Sequence, residues 1–132
     1  MAGSKTGDDK TQIRKKSEGV KKVPGKFQAS VVIVKGHPAG MEYLISSEST
    51  VLGRDKSADI VLKDPQVSRR HAAIEYRDGA YLLRDLESTN GTRMNGSLIQ
   101  ESNLRHGDKF SVGDTTLQFV LEEAKPRTYE IG

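Results

Sequence analysis

The sequence predicts an all-β domain, a sandwich or barrel of roughly 95 to 100 residues. Three observations point there. Short runs of β-branched and aromatic residues are separated by closely spaced turn pairs. The last of these runs alternates cleanly between two faces. No window sustains the helical apolar period over the about 10 to 12 residues that a helix needs.

The elements follow in order. Ala29 to Val34 is a β-branched run of strand length, broken by His37-Pro38-Ala39-Gly40. Met41, Tyr43 and Ile45 alternate with Glu42 and Ser46, a half-buried strand in which Leu44 is the exception. Thr50-Val51-Leu52 stops at Gly53, and Asp59 to Leu62 is closed by Asp64-Pro65. His71 to Tyr76 and Ala80 to Leu86 flank Asp78-Gly79, a strong hairpin signal. Asn90-Gly91 and Asn95-Gly96 mark two further tight turns, with Ser88 to Thr92 expected at a hairpin end. Gly107-Asp108 and Gly113-Asp114 bracket Lys109 to Val112. In the last strand Thr115, Leu117, Phe119 and Leu121 share one face, and Thr116, Gln118 and Val120 the other.

Composition narrows the function classes. The 132 residues are 34% apolar and 30% charged, and they include no Cys, so disulfide scaffolds, thiolate metal sites and cysteine nucleophiles are excluded. No apolar run approaches the roughly 18 residues of a membrane-spanning helix, and no apolar core follows the N-terminal charges as in a secretory signal. The expected compartment is the cytoplasm, with no membrane association. The net charge of +3 is unevenly placed: residues 1–26 hold 8 Lys/Arg against 3 Asp/Glu, and residues 27–121 hold 11 against 12. Residues 1–26 carry almost no apolar residues, with Ile13, Val20 and Val23 isolated, so they are read as a disordered basic tail whose boundary Pro24-Gly25 punctuates. The ordered domain is expected over 27–121, followed by a C-terminal tail, 122–132. A basic tail attracts nucleic acid or an anionic surface. This one lacks the interleaved aromatics that stack on single strands, so nucleic acid is not the expected partner.

Nothing signals catalysis. His37, His71 and His106 have no metal-ligand spacing, and no nucleophile elbow, phosphate loop or kinase signature occurs. No metal and no cofactor are expected. The chemistry is concentrated in three loops: Gly53-Arg54, Ser68-Arg69-Arg70-His71 and Ser88-Thr89-Asn90-Gly91-Thr92. Each alone has a bland reading as a bulge, a polar loop or a turn pair. Together they supply guanidinium groups, hydroxyls and a side-chain amide with almost no competing carboxylate. Arg presents a planar fork of donors to phosphate oxygens, hydroxyls donate to the remaining oxygens, and an amide suits a peptide backbone.

At these residues the chain closely resembles the forkhead-associated (FHA) domain, a phosphothreonine-binding module. The ordered match runs Leu52-Gly53-Arg54, Asp59-Ile60, Ser68-Arg69-Arg70-His71-Ala72, Asp85 through Thr92, Asn95-Gly96, Leu104 through Asp108 and the strand Thr116 to Val120, covering about residues 28–121. The resemblance implies an FHA-like β-sandwich of about 11 short strands with ligand loops at one end. It implies that Arg54 ion-pairs with the phosphate, Ser68 hydrogen-bonds it, Thr89 helps to contact it and Asn90 holds the ligand backbone. Arg69 fills a position that often touches the phosphate or the ligand backbone, whereas Arg70 adds only local positive potential. Gly53, His71 and Gly91 are implied as structural support, Gly53 by permitting the turn that aims Arg54. Such domains favour phosphothreonine over phosphoserine and select the residue three positions after it. Gln66, Val67 and the region of Asn95 are the expected reading surface, with no simple preference for Asp because Gln66 is uncharged.

The function so implied is a non-catalytic phosphothreonine-peptide-binding adaptor in Ser/Thr kinase signalling. The partner would be a phosphothreonine-containing protein, or the chain's own phosphorylated Thr6 or Thr128. Two alternatives stay open: a phosphorylation-independent interaction scaffold, and a nucleic-acid-associated protein tethered by the basic tail.

Overall fold

A computed structural model describes residues 27–123. The expectations for residues 1–26 and for the tail beyond 123, including Thr6 and Thr128, lie outside the described residues. Eleven strands follow in sequence: β1 (Phe27–Lys35), β2 (Glu42–Ile45), β3 (Ser49–Gly53), β4 (Ile60–Val61), β5 (Ala72–Arg77), β6 (Ala80–Asp85), β7 (Thr92–Met94), β8 (Ser97–Ile99), β9 (Glu101–Leu104), β10 (Lys109–Val112) and β11 (Thr115–Glu123). They form two sheets, ordered β2-β1-β11-β10-β7-β8 and β4-β3-β5-β6-β9. Among the described residues only the β3–β4 pair is parallel, with Leu52 opposite Ile60 and Gly53 opposite Val61.

The two sheets face each other across one apolar core, as inward-facing residues at period two require. The six-stranded sheet contributes Val31, Ile33, Phe110, Val112, Leu117 and Phe119, and the five-stranded sheet Leu52, Ile60, Ile74 and Leu83. Tyr81 crosses between the layers, its ring 5.2 Å from Phe119 and 4.9 Å from Tyr76. The anticipated alternation of β11 holds, with Thr115, Leu117 and Phe119 buried and Thr116, Gln118 and Val120 half-buried. Leu44 points outward from edge strand β2, as its break in the pattern suggested. Met41 does not share the burial of Ile45. It precedes β2 and is 46% exposed, in the β1–β2 turn where its carbonyl accepts the Ile33 N–H at 2.9 Å.

Two turn pairs behave as their chemistry dictates. Asp78-Gly79 and Asn95-Gly96 both place two successive residues at positive φ (52° and 82°; 53° and 84°), the type I′ geometry that matches strand twist. Asn90-Gly91 does not. Asn90 is not in the left-handed region, and the segment is not a hairpin: β6 lies in the five-stranded sheet and β7 in the six-stranded one. The Ser88–Thr92 loop therefore carries the chain from one layer to the other. That crossing brings it to the end of the sandwich where the β3–β4 and β4–β5 loops lie.

Gly53 closes this end for a reason other than a turn. Its φ is not positive, but a Cβ built on it would overlap the Arg69 carbonyl oxygen and lie 2.7 Å from that carbonyl carbon. The β4–β5 loop is held there by Arg54 N–H donating to Ser68 O at 2.9 Å and His71 N–H to Leu52 O at 2.8 Å. Neither backbone can withdraw without losing these bonds. Gly53→Ala is therefore expected to destabilise the domain by about 3 kcal/mol, in the range of overpacked sites. Urea denaturation of both proteins measures this, and an unchanged midpoint would contradict the close-approach account.

Candidate functional site

Three loops meet at this end. Arg54 leaves the end of β3, and its Nε donates to the Val67 carbonyl at 2.8 Å. This bond pins the guanidinium beside the β4–β5 loop while leaving the two Nη groups without a protein partner among the described residues. Arg54 itself is exposed. Ser68 lies next to Val67, and its Oγ accepts the Thr89 N–H at 3.0 Å. With the acceptor side of that hydroxyl engaged, its proton is available to an outside acceptor. Asn90 Nδ2 donates to the Gln66 carbonyl at 2.9 Å and to Gln66 Oε1 at 3.1 Å. These hydrogen bonds bring the loops carrying Arg54, Ser68, Thr89 and Asn90 together at one end of the sandwich, here called the notch.

The notch is braced from below by His71, which is fully buried. Its Nδ1 accepts the Ser68 N–H at 3.0 Å, and its Nε2 lies 2.8 Å from the Gly91 carbonyl oxygen. Accepting at Nδ1 requires the proton on Nε2, which donates to Gly91, so the contacts fix the neutral tautomer. One imidazole joins the loop carrying Ser68 to the loop carrying Asn90. Gly91 supports this joint at φ 85°, and a Cβ there would meet Leu98 Cδ2 at 2.5 Å.

Two carboxylates give the loops their shape. Asp85, at the end of β6, accepts Ser88 Oγ at 2.6 Å, Thr92 Oγ1 at 2.7 Å and Ser88 N–H at 3.1 Å, and Ser88 Oγ in turn accepts Gly91 N–H at 2.9 Å. Burial pushes its pKa up, but the bonds from Ser88 and Thr92 outweigh burial and hold it below the usual 3.8. Asp64 accepts Gln66 N–H at 2.9 Å, Asp114 N–H at 2.8 Å and Thr115 Oγ1 at 2.8 Å, tying the β4–β5 loop to the β10–β11 turn. Burial raises it and these bonds lower it, with a net downward shift. Asp64 was not singled out from the sequence, where its only signal was the turn pair Asp64-Pro65.

Several expectations change. Val67 is buried, 1% exposed, so its side chain packs in the core; only its carbonyl faces the site. Asn95 lies at the far end of β7, in a cleft with Arg105 and Asp108, because Thr92 and not Met94 adjoins the notch. Gln66 does reach the notch, through Asn90. Arg69 and Arg70 are exposed beside it. The loops are less free of carboxylates than their sequence suggested: Asp55 and Glu87 also lie on them. Asp55 is turned onto the Ser57 hydroxyl and accepts Ser57 N–H at 2.9 Å, and the Ser57 hydrogen bonds are the chief cause of its lowered pKa. Glu87 is exposed and left-handed at φ 56°. Leu98, 62% exposed beside Gly91, and Lys63, beside Arg54, are neighbours that the sequence pattern did not mark. Among the described residues no group of three or more His, Asp or Glu is placed to hold a metal ion. No helix long and apolar enough to cross a membrane occurs among the described residues.

Comparison with known proteins fits this geometry. The family model of the FHA domain matches residues 50–113. The oxoglutarate dehydrogenase inhibitor of Corynebacterium jeikeium is 36% identical over 102 residues, which cover 77% of this chain and 70% of that protein. The chain belongs to the FHA domain family. The glycogen accumulation regulator GarA of Mycolicibacterium smegmatis is 34% identical over 102 residues, 77% of this chain and 64% of that one. A solved FHA domain studied for phosphothreonine-dependent interactions superposes with a TM-score of 0.65 at 31% identity, covering 76% of this chain and 99% of its own. Both named relatives are regulators, one of them an inhibitor.

The architecture of this FHA domain predicts two stability effects. His71→Ala leaves the Ser68 N–H and the Gly91 carbonyl unpaired above a cavity and is expected to cost about 2–4 kcal/mol; denaturant unfolding reads it. The Asp85 and Asp64 carboxyls lie below their ordinary value when folded, so their stabilisation is complete above that value and is lost as pH falls through the lowered one. Urea midpoints should decline as pH falls below about pH 4, with a shallower decline in Asp85→Asn.

Proposed function

We propose that this FHA domain is a phosphothreonine-peptide-binding adaptor acting in Ser/Thr kinase signalling. The observation that supports it most directly is the notch itself. Arg54 Nη groups without a partner among the described residues, a hydroxyl proton on Ser68 and the Asn90 amide stand on three loops, two of them joined by one buried histidine. A phosphothreonine brings about −1.5 to −2 charges and three acceptor oxygens. Arg54 and Ser68 engage these oxygens, with Thr89 and Arg69 at the margin, while Asn90 holds the ligand backbone through its remaining amide valences. Each charge-assisted hydrogen bond is worth about 1.5–3 kcal/mol net. Two or three of them, less association and ordering costs, correspond to micromolar affinity, about −8 kcal/mol.

The chain works by binding, and any catalysis belongs to its partner. Its setting is the cytoplasm, and its ligand is a phosphothreonine-containing protein. Segments around the chain's own Thr6 and Thr128 belong to the same ligand class, and being covalently attached they would compete at an effective concentration of about a millimolar if they reach the site.

Calorimetry with matched phosphorylated and unphosphorylated peptides, including segments around Thr6 and Thr128, tests the reading. Binding is expected only for phosphorylated forms. Arg54→Ala should cost at least about 2 kcal/mol, roughly 30-fold in Kd, while thermal unfolding stays cooperative. Equal binding of phosphorylated and unphosphorylated peptides would refute the proposal.

A further inference from the structure

The outer face of the six-stranded sheet has no layer over it among the described residues. Cross-strand partners share a face, so the register fixes the rows of that surface. One row runs Glu42, Val32, Gln118, Lys109 across β2, β1, β11 and β10. The next runs Leu44, Ser30, Val120 across β2, β1 and β11. These residues alternate with the buried Val31, Phe110, Leu117 and Phe119, so they point away from the core. The centre of the face is uncharged, with Val32, Val120 and Gln118 half-buried, and Leu44 is 60% exposed at its side. The Gln118 amide is tied down, its Nε2 donating to the Gly107 carbonyl at 3.1 Å. Charge stands at the two ends of the first row. Glu42 and Lys109 are both exposed, and neither forms an ion pair with a described residue.

Glu42 and Lys109 are three strand spacings apart, about 14 Å, and the seam between β1 and β11 lies midway. A two-fold axis along that seam turns a second copy face down on the first. Glu42 of each copy then meets Lys109 of the other, Val120 meets Ser30, and Val32 meets Gln118. An axis across the strands through the same row sets Glu42 on Glu42 and Lys109 on Lys109, so charge selects the first arrangement. We propose that this face pairs two copies of the chain about a two-fold axis parallel to β1 and β11, with Glu42 and Lys109 forming reciprocal ion pairs on either side of an uncharged centre.

The four overlapping strands cover roughly 400 Å² per copy, half of a standard interface, so the association is transient and concentration-dependent. The axis direction matters for ligands. The notch lies at the end of the sandwich marked by the β10–β11 turn, where Gly113 packs on Val67 and Asp64. An axis parallel to the strands leaves both notches at the same end of the dimer. One partner carrying two phosphothreonines then engages two copies at once. That bivalence rests on the phosphothreonine reading, whereas the pairing itself does not.

Sedimentation equilibrium of the full chain, from about 10 μM to about 1 mM, tests the pairing. The wild type is expected to approach dimer mass at the top of this range. Glu42→Lys and Lys109→Glu should each stay monomeric, and the double exchange should restore the dimer. A mixture of the two single variants should associate, because each supplies the charges that the other lacks. Both positions are exposed and away from the notch, so cooperative unfolding and binding of a singly phosphorylated peptide should match the wild type. A wild type that is monomeric throughout, or a dimer indifferent to both reversals, overturns the proposal. So do single variants that fail to associate when mixed. Bivalence is read by calorimetry with peptides carrying two phosphothreonines at increasing separations. The wild type should gain about 10-fold or more over the singly phosphorylated peptide, and Glu42→Lys should lose that gain. A dimer with no gain at any separation overturns the shared-end arrangement. Absence of binding by every phosphopeptide overturns the phosphothreonine reading and leaves the pairing standing.

Discussion

The site depends on one buried imidazole. The β4–β5 loop and the crossing from β6 to β7 belong to segments about twenty residues apart, and neither has regular structure to hold it. His71 accepts a hydrogen bond from the first and donates one to the second from a fully buried position. Both of its ring nitrogens are used, so tautomer and orientation are fixed together. Because Ser68 and Asn90 stand directly above this joint, the spacing between the Ser68 hydroxyl and the Asn90 amide is a property of the core and not of the loops.

Around that joint two half-buried carboxylates hold the loops rigid. Asp85 gathers the hydroxyls of Ser88 and Thr92 and a backbone N–H, and Asp64 gathers two N–H groups and a hydroxyl. Each carboxylate would be costly at this depth if it lacked donors. Satisfied, each replaces the hydrogen bonds that a strand ladder would otherwise supply to an irregular segment. The cations follow the opposite rule. Arg54, Lys63, Arg69 and Arg70 remain at the surface, where their charges meet solvent or ligand. Anionic scaffolding below and cationic groups above give the end of the sandwich its polarity, although the domain as a whole is nearly neutral.

Much of this was legible in the residues, and the exceptions share a cause. The strand with strict alternation, β11, and the Asp78-Gly79 turn were readable because period and φ preference act over two to four residues. β7, β8 and β9 span only three or four residues each and show no period of their own. Asn90-Gly91 carries the same dipeptide as a hairpin turn yet crosses between sheets, since the strands that follow pair elsewhere. Val67 sits beside Ser68 on the β4–β5 loop and still packs into the core, because the β10–β11 turn closes over it.

By itself the sequence determined the chemistry available and the places where the chain must turn: guanidinium, hydroxyl and amide groups on loops, and Gly at positions of positive φ. These are local properties, set by covalent structure and nearest neighbours. The tertiary structure alone decided which loops meet, that Gly53 is required by the approach of the Arg69 backbone, that Asn95 faces away from the notch, and that Lys63 stands beside Arg54. Those outcomes follow from the pairing of strands distant in sequence, whose register sets the face each residue presents and the neighbour it meets.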